Sequence, residues 1–115
     1  MTKSHFDISL WEKKLVRKQE QEEKLRQDIL HYTRKVVNNY FADKKVSHVY
    51  LAGSLLHAHR FRQHSDIDIA VEGLKDDYFK IKSELEGLLD RDVEIIELEQ
   101  CRFAKSIRER GERVL

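Results

Sequence analysis

The sequence of 115 residues has no proline, four glycines and one cysteine. Because Cys101 has no second cysteine to pair with, the chain forms no internal disulfide and makes no demand on an oxidising compartment. We interpret Cys101 as a half-buried structural thiol. No apolar run approaches the ~20 residues that cross a bilayer, and the stretch MTKSHFDISLWEKK lacks the apolar core of a signal peptide. We therefore expect a cytoplasmic protein with no membrane attachment.

The sequence also lacks an excess of charge of either sign. It has 22 basic and 21 acidic residues, for a formal net charge of +1. Modules that bind nucleic acid usually show a clear basic excess, so no stable binding to nucleic acid is expected. With 40% hydrophobic and 37% charged residues, the chain predicts one small globular domain with a heavily charged surface.

Residues 10–40 predict one long helix. Apolar residues recur there at steps of three, four or their multiples: Trp11, Leu15, Leu25, Ile29, Tyr32, Val36 and Tyr40. The middle, RKQEQEEKLRQD, is almost entirely polar. We expect residues 29–41 to pack on the domain, whereas docking on a partner and simple exposure both stay open for residues 11–16. The expected division is an N-terminal helical extension, 1–45, and a compact domain, 46–115.

The rest of the chain alternates strand and helix. Strands are predicted at 46–52, 66–72 and 92–98. A helix over 76–89 would bury Phe79, Leu85, Leu88 and Leu89 and be capped by Asp76 or Asp77, and a short closing helix would bury Phe103 and Ile107 and end at Gly111. The order predicts an α/β fold, a short mixed sheet flanked by helices.

Two aspartates interrupt the apolar run of the second strand. Since side chains alternate along a strand, Asp66 and Asp68 share one face, about 7 Å apart. Two carboxylates at this spacing repel each other unless a cation lies between them, and oxygen ligands suit Mg²⁺ or Mn²⁺. A solvated strand edge is the alternative, because the Asp-x-Asp pattern alone is common.

The third strand supplies a further carboxylate. If Val93 and Ile95 face the core, Glu94 points to the face that carries Asp66 and Asp68. Three carboxylates on neighbouring strands can hold two metal ions for displacement at phosphorus. Asp92 and Glu97 are the alternatives for this third ligand, and Glu94 is preferred because apolar residues flank it.

A Gly-Ser pair ends the first strand. A glycine at this point allows a phosphate to approach the backbone closely, and a helix that begins there would offer free N–H groups. Ser54 could cap that helix and donate its hydroxyl to a phosphate oxygen. An ordinary turn between strand and helix is the alternative for Gly53 and Ser54.

Together, AGSLLHAHRFRQHSDIDIAVEGL and the later Glu94 resemble the nucleotidyltransferase superfamily typified by the catalytic core of DNA polymerase β. Within it the chain is similar to minimal nucleotidyltransferases, the single-domain MNT proteins often encoded beside a HEPN partner. The family pattern of Gly-Ser, spacer, Asp-x-Asp and a third carboxylate maps to Gly53, Ser54, Asp66, Asp68 and Glu94. The likeness runs from about residue 46 to the C-terminus. The sequence departs from it in the loop LLHAHRFRQH, where an Ala-Arg-Gly-like stretch is common, and in having Glu rather than Asp as third acid.

The resemblance implies a metal-dependent transfer of AMP from ATP, with two Mg²⁺ ions (or Mn²⁺) held by Asp66, Asp68 and Glu94. Candidate residues for binding the nucleotide phosphates are Gly53, Ser54, Arg60, Arg62 and Ser65. The histidines between the motifs, His57, His59 and His64, are expected to line the nucleotide cleft or face solvent.

The resemblance also implies a partner. A chain this short must take its acceptor surface from a partner or from its own oligomer, and the family suggests an antitoxin that adenylylates a tyrosine of a HEPN toxin. The alternatives are an antitoxin that acts by binding alone and a subunit of a two-chain enzyme that modifies small molecules.

Overall fold

The fold consists of a long helix followed by a small α/β unit. The computed structural model describes residues 7–115; residues 1–6, part of the predicted extension and of the stretch considered as a signal peptide, lie outside it. The elements in chain order are α1 (Asp7–Phe41), β1 (His48–Ala52), β2 (Ile67–Glu72), α2 (Tyr78–Leu89), β3 (Val93–Glu97), α3 (Ala104–Arg110) and β4 (Glu112–Arg113). Short 3₁₀ turns follow β1 at Gly53–Leu56 and β3 at Leu98–Gln100.

The strands form one mixed sheet in the order β3-β2-β1-β4. Strand β1 is antiparallel to β2 and β4, and β2 is parallel to β3. The predicted mixed sheet is confirmed, and β4 is an addition to it. Gly111 brings β4 to the sheet, because a Cβ at this position would lie 2.9 Å from the Leu51 carbonyl oxygen and 2.5 Å from that of Ile107.

One face of the sheet, here called the core face, is covered by α1 and α2. Its buried strand residues are all aliphatic: Val49, Leu51, Ile67, Ile69, Val71, Val93 and Ile95. They pack with Leu30, Val37 and Phe41 of α1 and with Ile81, Leu85 and Leu89 of α2. The Asp77 side chain accepts hydrogen bonds from the N–H groups of Phe79 and Lys80, which confirms the predicted cap of α2.

The opposite face, here called the acid face, is only partly covered. Helix α3 packs there through Ala104 and Ile107 against a small cluster of Tyr50, Ala70 and Leu98. The remainder of this face is polar and carries Asp68 of β2 and Glu94 of β3.

Helix α1 divides into a packed half and an exposed half. Its C-terminal turns bury Leu30, Val37 and Phe41, and Ile29 is partly buried against them, as predicted. Toward the N-terminus the helix extends away from the domain, and the longest dimension of the molecule is 69 Å. We call residues 9–25 of α1 the stem. No helix of the described chain has both the length and the apolar composition that a bilayer crossing requires.

Three predicted core residues are instead on the surface. Phe79 is 75% exposed, Leu88 49% and Phe103 65%. The buried line of α2 runs through Ile81, Leu85 and Leu89 at four-residue steps, which places its other apolar side chains off the packed side. Phe103 lies at the N-cap of α3, outside the helix, whereas Ile107 contacts the small cluster as predicted.

Candidate active site

Two of the predicted acidic residues lie side by side on the acid face, and the third comes just before β2. Asp68 in β2 and Glu94 in β3 are register partners of adjacent parallel strands, and the buried Ile67, Ile69, Val93 and Ile95 alternate with them on the core face. Asp66 comes one residue before β2 begins and is exposed. The alternation rule therefore placed Glu94 on the face of Asp68, as expected.

The electrostatics of Asp68 reflect this grouping. Burial, together with the nearby charges of Glu94 and Asp66, raises the pKa of its carboxyl to about 6. Within residues 7–115, none of the ion pairs includes Asp66, Asp68 or Glu94. In the described part of the chain, the three carboxylates thus have no lysine or arginine paired with them, and a group of unpaired carboxylates suits a divalent cation.

The two alternative third ligands point elsewhere. The charge of Asp92 acts on Lys82 of α2, and Glu97 follows Val93 and Ile95 on the core face. In the part of the chain described, no three His, Cys, Asp or Glu side chains stand close enough to form a ready metal site. Asp66, Asp68 and Glu94 would therefore have to draw together around a cation.

Gly53 lies directly against Asp68. Its φ of +76° is in the left-handed region, and a Cβ on Gly53 would come 2.1 Å from Asp68 Oδ2. A glycine is thus required for the carboxylate to reach the end of β1. The predicted helix after Gly53 is wrong: a 3₁₀ turn of four residues forms, and no side chain caps it. Ser54 lies inside this turn, where its carbonyl accepts a hydrogen bond from His57 N–H (3.0 Å).

A cleft opens beside the Gly-Ser turn, between this turn and α3. It has a volume of about 210 Å³ and is lined by Ala52, Gly53, Leu56, His57, Ser106, Ile107, Arg110 and Gly111. Of the three histidines, His57 lines this cleft, His59 borders a groove beside α1, and His64 is exposed. The cleft offers an apolar wall, a glycine-rich floor and one guanidinium group next to the acidic face.

The loop between the two motifs is held by its own polar contacts. Arg62 Nη1 donates to the His59 carbonyl (2.6 Å) and lies 3.5 Å from Glu22 of α1, while Ser65 Oγ accepts from the Arg62 N–H (2.8 Å). Arg60 is exposed and makes no such contact within the described chain. Of the predicted phosphate ligands in this loop, Arg62 and Ser65 are therefore engaged in holding the loop, and Arg60 is available.

Two arginines at this site were not predicted from the sequence. Arg91 lies over the ring of the buried Phe61 and donates to the carbonyls of Gln63 (2.7 Å) and Ser65 (3.0 Å), so it fixes the loop that leads into Asp66. Arg110 lines the cleft from α3. Neither belongs to a local motif, because both reach the site only through the tertiary fold.

The chain is similar to a known protein family and to several solved structures. The family model described as "Polymerase beta, Nucleotidyltransferase" matches residues 34–115, which include the acidic residues, the Gly-Ser turn and α3. No curated protein matches the chain.

Solved structures share the fold. A mutant of a toxin–antitoxin complex of MntA is 23% identical, with a TM-score of 0.58 over 71% of each chain. The toxin–antitoxin MntA–HepT is 22% identical, with a TM-score of 0.54 over 72% of this chain and 69% of that one. A toxin–antitoxin with AMP-PNP is 24% identical, with a TM-score of 0.56 over 71% and 70%.

Proposed function

Because the chain belongs to the polymerase β nucleotidyltransferase family, we propose that it transfers AMP from ATP to a protein hydroxyl. The observation that carries this proposal is the register pairing of Asp68 with Glu94, beside a glycine that admits the Asp68 carboxylate. Among residues 7–115, neither acid forms an ion pair with a basic side chain. The catalytic residues proposed are Asp66, Asp68 and Glu94.

The three acids would hold two Mg²⁺ ions, with Mn²⁺ as a substitute. When bound, the cations neutralise phosphate charge and favour ionisation of the attacking hydroxyl. Carboxylates that repel one another in the metal-free protein gain from binding such ions, and the raised pKa of Asp68 fits this role.

The cleft beside Gly53 would hold the triphosphate. Because Gly53 has no side chain, a phosphate can approach its backbone closely. The Ser54 hydroxyl can donate to a phosphate oxygen, and Arg60 and Arg110 can donate from their guanidinium groups. Arg62 and Ser65 would join them only by leaving their present contacts in the loop.

In the reaction the acceptor oxygen attacks the α-phosphorus of ATP. The new bond is between this oxygen and phosphorus, and the bond that breaks joins the α-phosphorus to the oxygen bridging to the β-phosphate. Pyrophosphate leaves with that electron pair, and Glu94 would accept the hydroxyl proton. Most of the rate enhancement would come from positioning and charge neutralisation.

For the acceptor we propose a tyrosine of a HEPN toxin, so that the chain acts as an antitoxin. The structures that share this fold are toxin–antitoxin assemblies, one of them with an ATP analogue, which supports both the class of partner and the nucleotide. The described chain carries no additional helical domain that could form an acceptor site of its own.

The experiment is to incubate the purified chain with Mg²⁺, ATP and the HEPN protein encoded beside it, and to weigh the partner by mass spectrometry. The partner should gain the mass of AMP on a tyrosine. Glu94→Gln should lower the rate strongly, whereas Glu97→Gln on the core face of the same strand is the matched control and should retain it.

Other outcomes would point to the competing functions. A partner that is inhibited but unmodified would favour an antitoxin that acts by binding alone. Labelling of a small hydroxyl compound in place of the partner would favour a two-chain transferase for small molecules. Equal loss of activity in Glu94→Gln and Glu97→Gln would refute the assignment of the third acid.

A further inference from the structure

The stem of α1 is the largest part of the molecule that the proposed reaction does not use. It lies outside the residues that match the nucleotidyltransferase family, 34–115. It nevertheless exposes large apolar side chains: Trp11 is 63% exposed, Leu15 40% and Leu25 38%. Exposed apolar side chains do not stabilise a helix in water, so a regular spacing of them indicates a surface that another molecule covers.

Most of the exposed apolar residues of the stem follow a heptad pattern, with Leu10 and Val16 outside it. Trp11, Leu25 and Tyr32 belong to one series at intervals of seven, and Leu15 and Ile29 belong to a second series that alternates with it. Such a double series places one stripe along a helix, as in the seam of a coiled coil. The stripe is interrupted at the middle of the stem, where the two series contain Lys18 and Glu22.

This interruption distinguishes between the ways in which two stems can pair. In a parallel pair each residue faces its own copy, which would set Lys18 against Lys18 and Glu22 against Glu22. In an antiparallel pair centred on residue 20, Lys18 faces Glu22 of the other copy, Leu15 faces Leu25, and Trp11 faces Ile29. A shift by one heptad would oppose Leu15 to Lys18 and Trp11 to Glu22. Within these two series, one antiparallel register thus pairs each apolar residue of the stem with an apolar one and Lys18 with Glu22.

We propose that two copies of the chain associate through their stems as an antiparallel helix pair in this register. A flanking pair of charges supports the same alignment, because Lys14 of one copy comes beside Asp28 of the other, and both side chains are exposed. Glu22, which also lies 3.5 Å from Arg62 of its own chain, is 33% exposed at its side chain and can still face Lys18 of the second copy.

The far end of the stem offers a receptor for Trp11. Tyr32 is 51% exposed and donates a hydrogen bond to the Leu88 carbonyl (3.1 Å), and the Leu88 side chain is 49% exposed beside it. Together with Leu25 and the partly buried Ile29 they form an apolar patch at the level that Trp11 of the second copy reaches. This patch also accounts for Leu88, an apolar residue that α2 leaves outside its own core.

The first test is the mass of the full chain in solution, alone, across a concentration series by sedimentation. A dimer is expected, and Trp11→Ala should weaken it by about thirty-fold or more, as for a central aromatic anchor. Phe79→Ala, which removes an even more exposed aromatic residue from α2, is the matched control and should leave the dimer unchanged. A chain that stays monomeric at high concentration would overturn the proposal, and so would a dimer insensitive to Trp11→Ala.

The second test addresses the register. In a background of Cys101→Ser, Lys14→Cys mixed with Asp28→Cys should give a cross-linked heterodimer with a short bismaleimide, whereas Lys14→Cys alone should not cross-link. Self-cross-linking of Lys14→Cys without the mixed product would indicate parallel stems and would overturn the proposal.

A charge exchange completes the test. Lys14→Glu should weaken the dimer about tenfold, because two such pairs occur by symmetry. Adding Asp28→Lys to the same chain should restore the dimer. Absence of this rescue would refute the alignment.

Discussion

The two faces of the sheet are made by the same strands and differ in almost every other respect. The core face is mostly aliphatic and is covered by α1 and α2. The acid face carries Asp68 and Glu94, a few apolar contacts to α3, and an open cleft. Because strand residues alternate, substitutions one position apart can test stability and chemistry separately.

The comparison indicates how the chain accommodates an unfavourable site. Asp68 lies half-buried next to Glu94 and Asp66, an arrangement that costs free energy when all three are ionised. The neighbouring core residues offset this cost on the other side of the same strand. The core face therefore supplies the stability of the fold, and the acid face supplies the proposed active site.

The largest expected effect is the loss of nucleotidyl transfer when the acid face is substituted. Asp66→Asn combined with Asp68→Asn should lower nucleotidyl transfer by about 10³-fold or more, since cation binding is lost, while the circular dichroism spectrum stays unchanged. Asp76→Asn, an exposed aspartate before α2, is the control and should retain full activity. Full activity in the double variant would refute the assignment of the acid face.

The next largest effect is a loss of stability when the core face is substituted. Ile69→Ala on the core face, adjacent in sequence to Asp68, should lower the free energy of unfolding by about 3 kcal/mol, because it leaves a cavity at a fully buried position. Chemical denaturation monitored by circular dichroism checks this value. A loss below about 1 kcal/mol would mean that the core face is not the main source of stability.

A smaller effect concerns Asp68 in metal-free protein. Its pKa of about 6 in the folded state lies above its ordinary value of 3.8, so the folded state holds the proton more tightly and ionisation opposes folding. The free energy of unfolding should therefore fall as pH rises from about 4 through 6, by roughly 1 kcal/mol after allowing for partial exposure.

Asp68→Asn should remove this pH dependence and raise the melting temperature near pH 7 in EDTA. Added Mg²⁺ should stabilise the wild type and leave Asp68→Asn unaffected. A melting temperature that rises with pH over the same range in the wild type would contradict this interpretation.

The smallest effect lies beneath the core face. Thr33 of α1 is fully buried, and its hydroxyl has no hydrogen-bond partner in the described part of the chain. Thr33→Val removes this unpaired group at almost constant shape and should raise the free energy of unfolding by about 1 kcal/mol. Thr33→Ser, which keeps the hydroxyl and loses a methyl group, should lower it instead.

Periodic features were predictable from the sequence, whereas features that depend on tertiary contacts were not. The long helix and three strands follow from apolar spacing, and strand alternation is sufficient to prefer Glu94 over Glu97. Phe79 and Leu88 were misplaced because apolar character alone does not fix which side of a short helix packs. Strand β4, Arg-Glu in composition and two residues long, has no local β signal and depends on Gly111 approaching β1. Arg91 and Arg110 reach the site through the fold alone.

The most direct measurement for the acid face is anomalous diffraction from a crystal grown with Mn²⁺ and a non-hydrolysable ATP analogue. Manganese peaks are expected between Asp66, Asp68 and Glu94, with the triphosphate in the cleft beside Gly53. Manganese bound elsewhere, or bound there without contact to Glu94, would contradict this expectation.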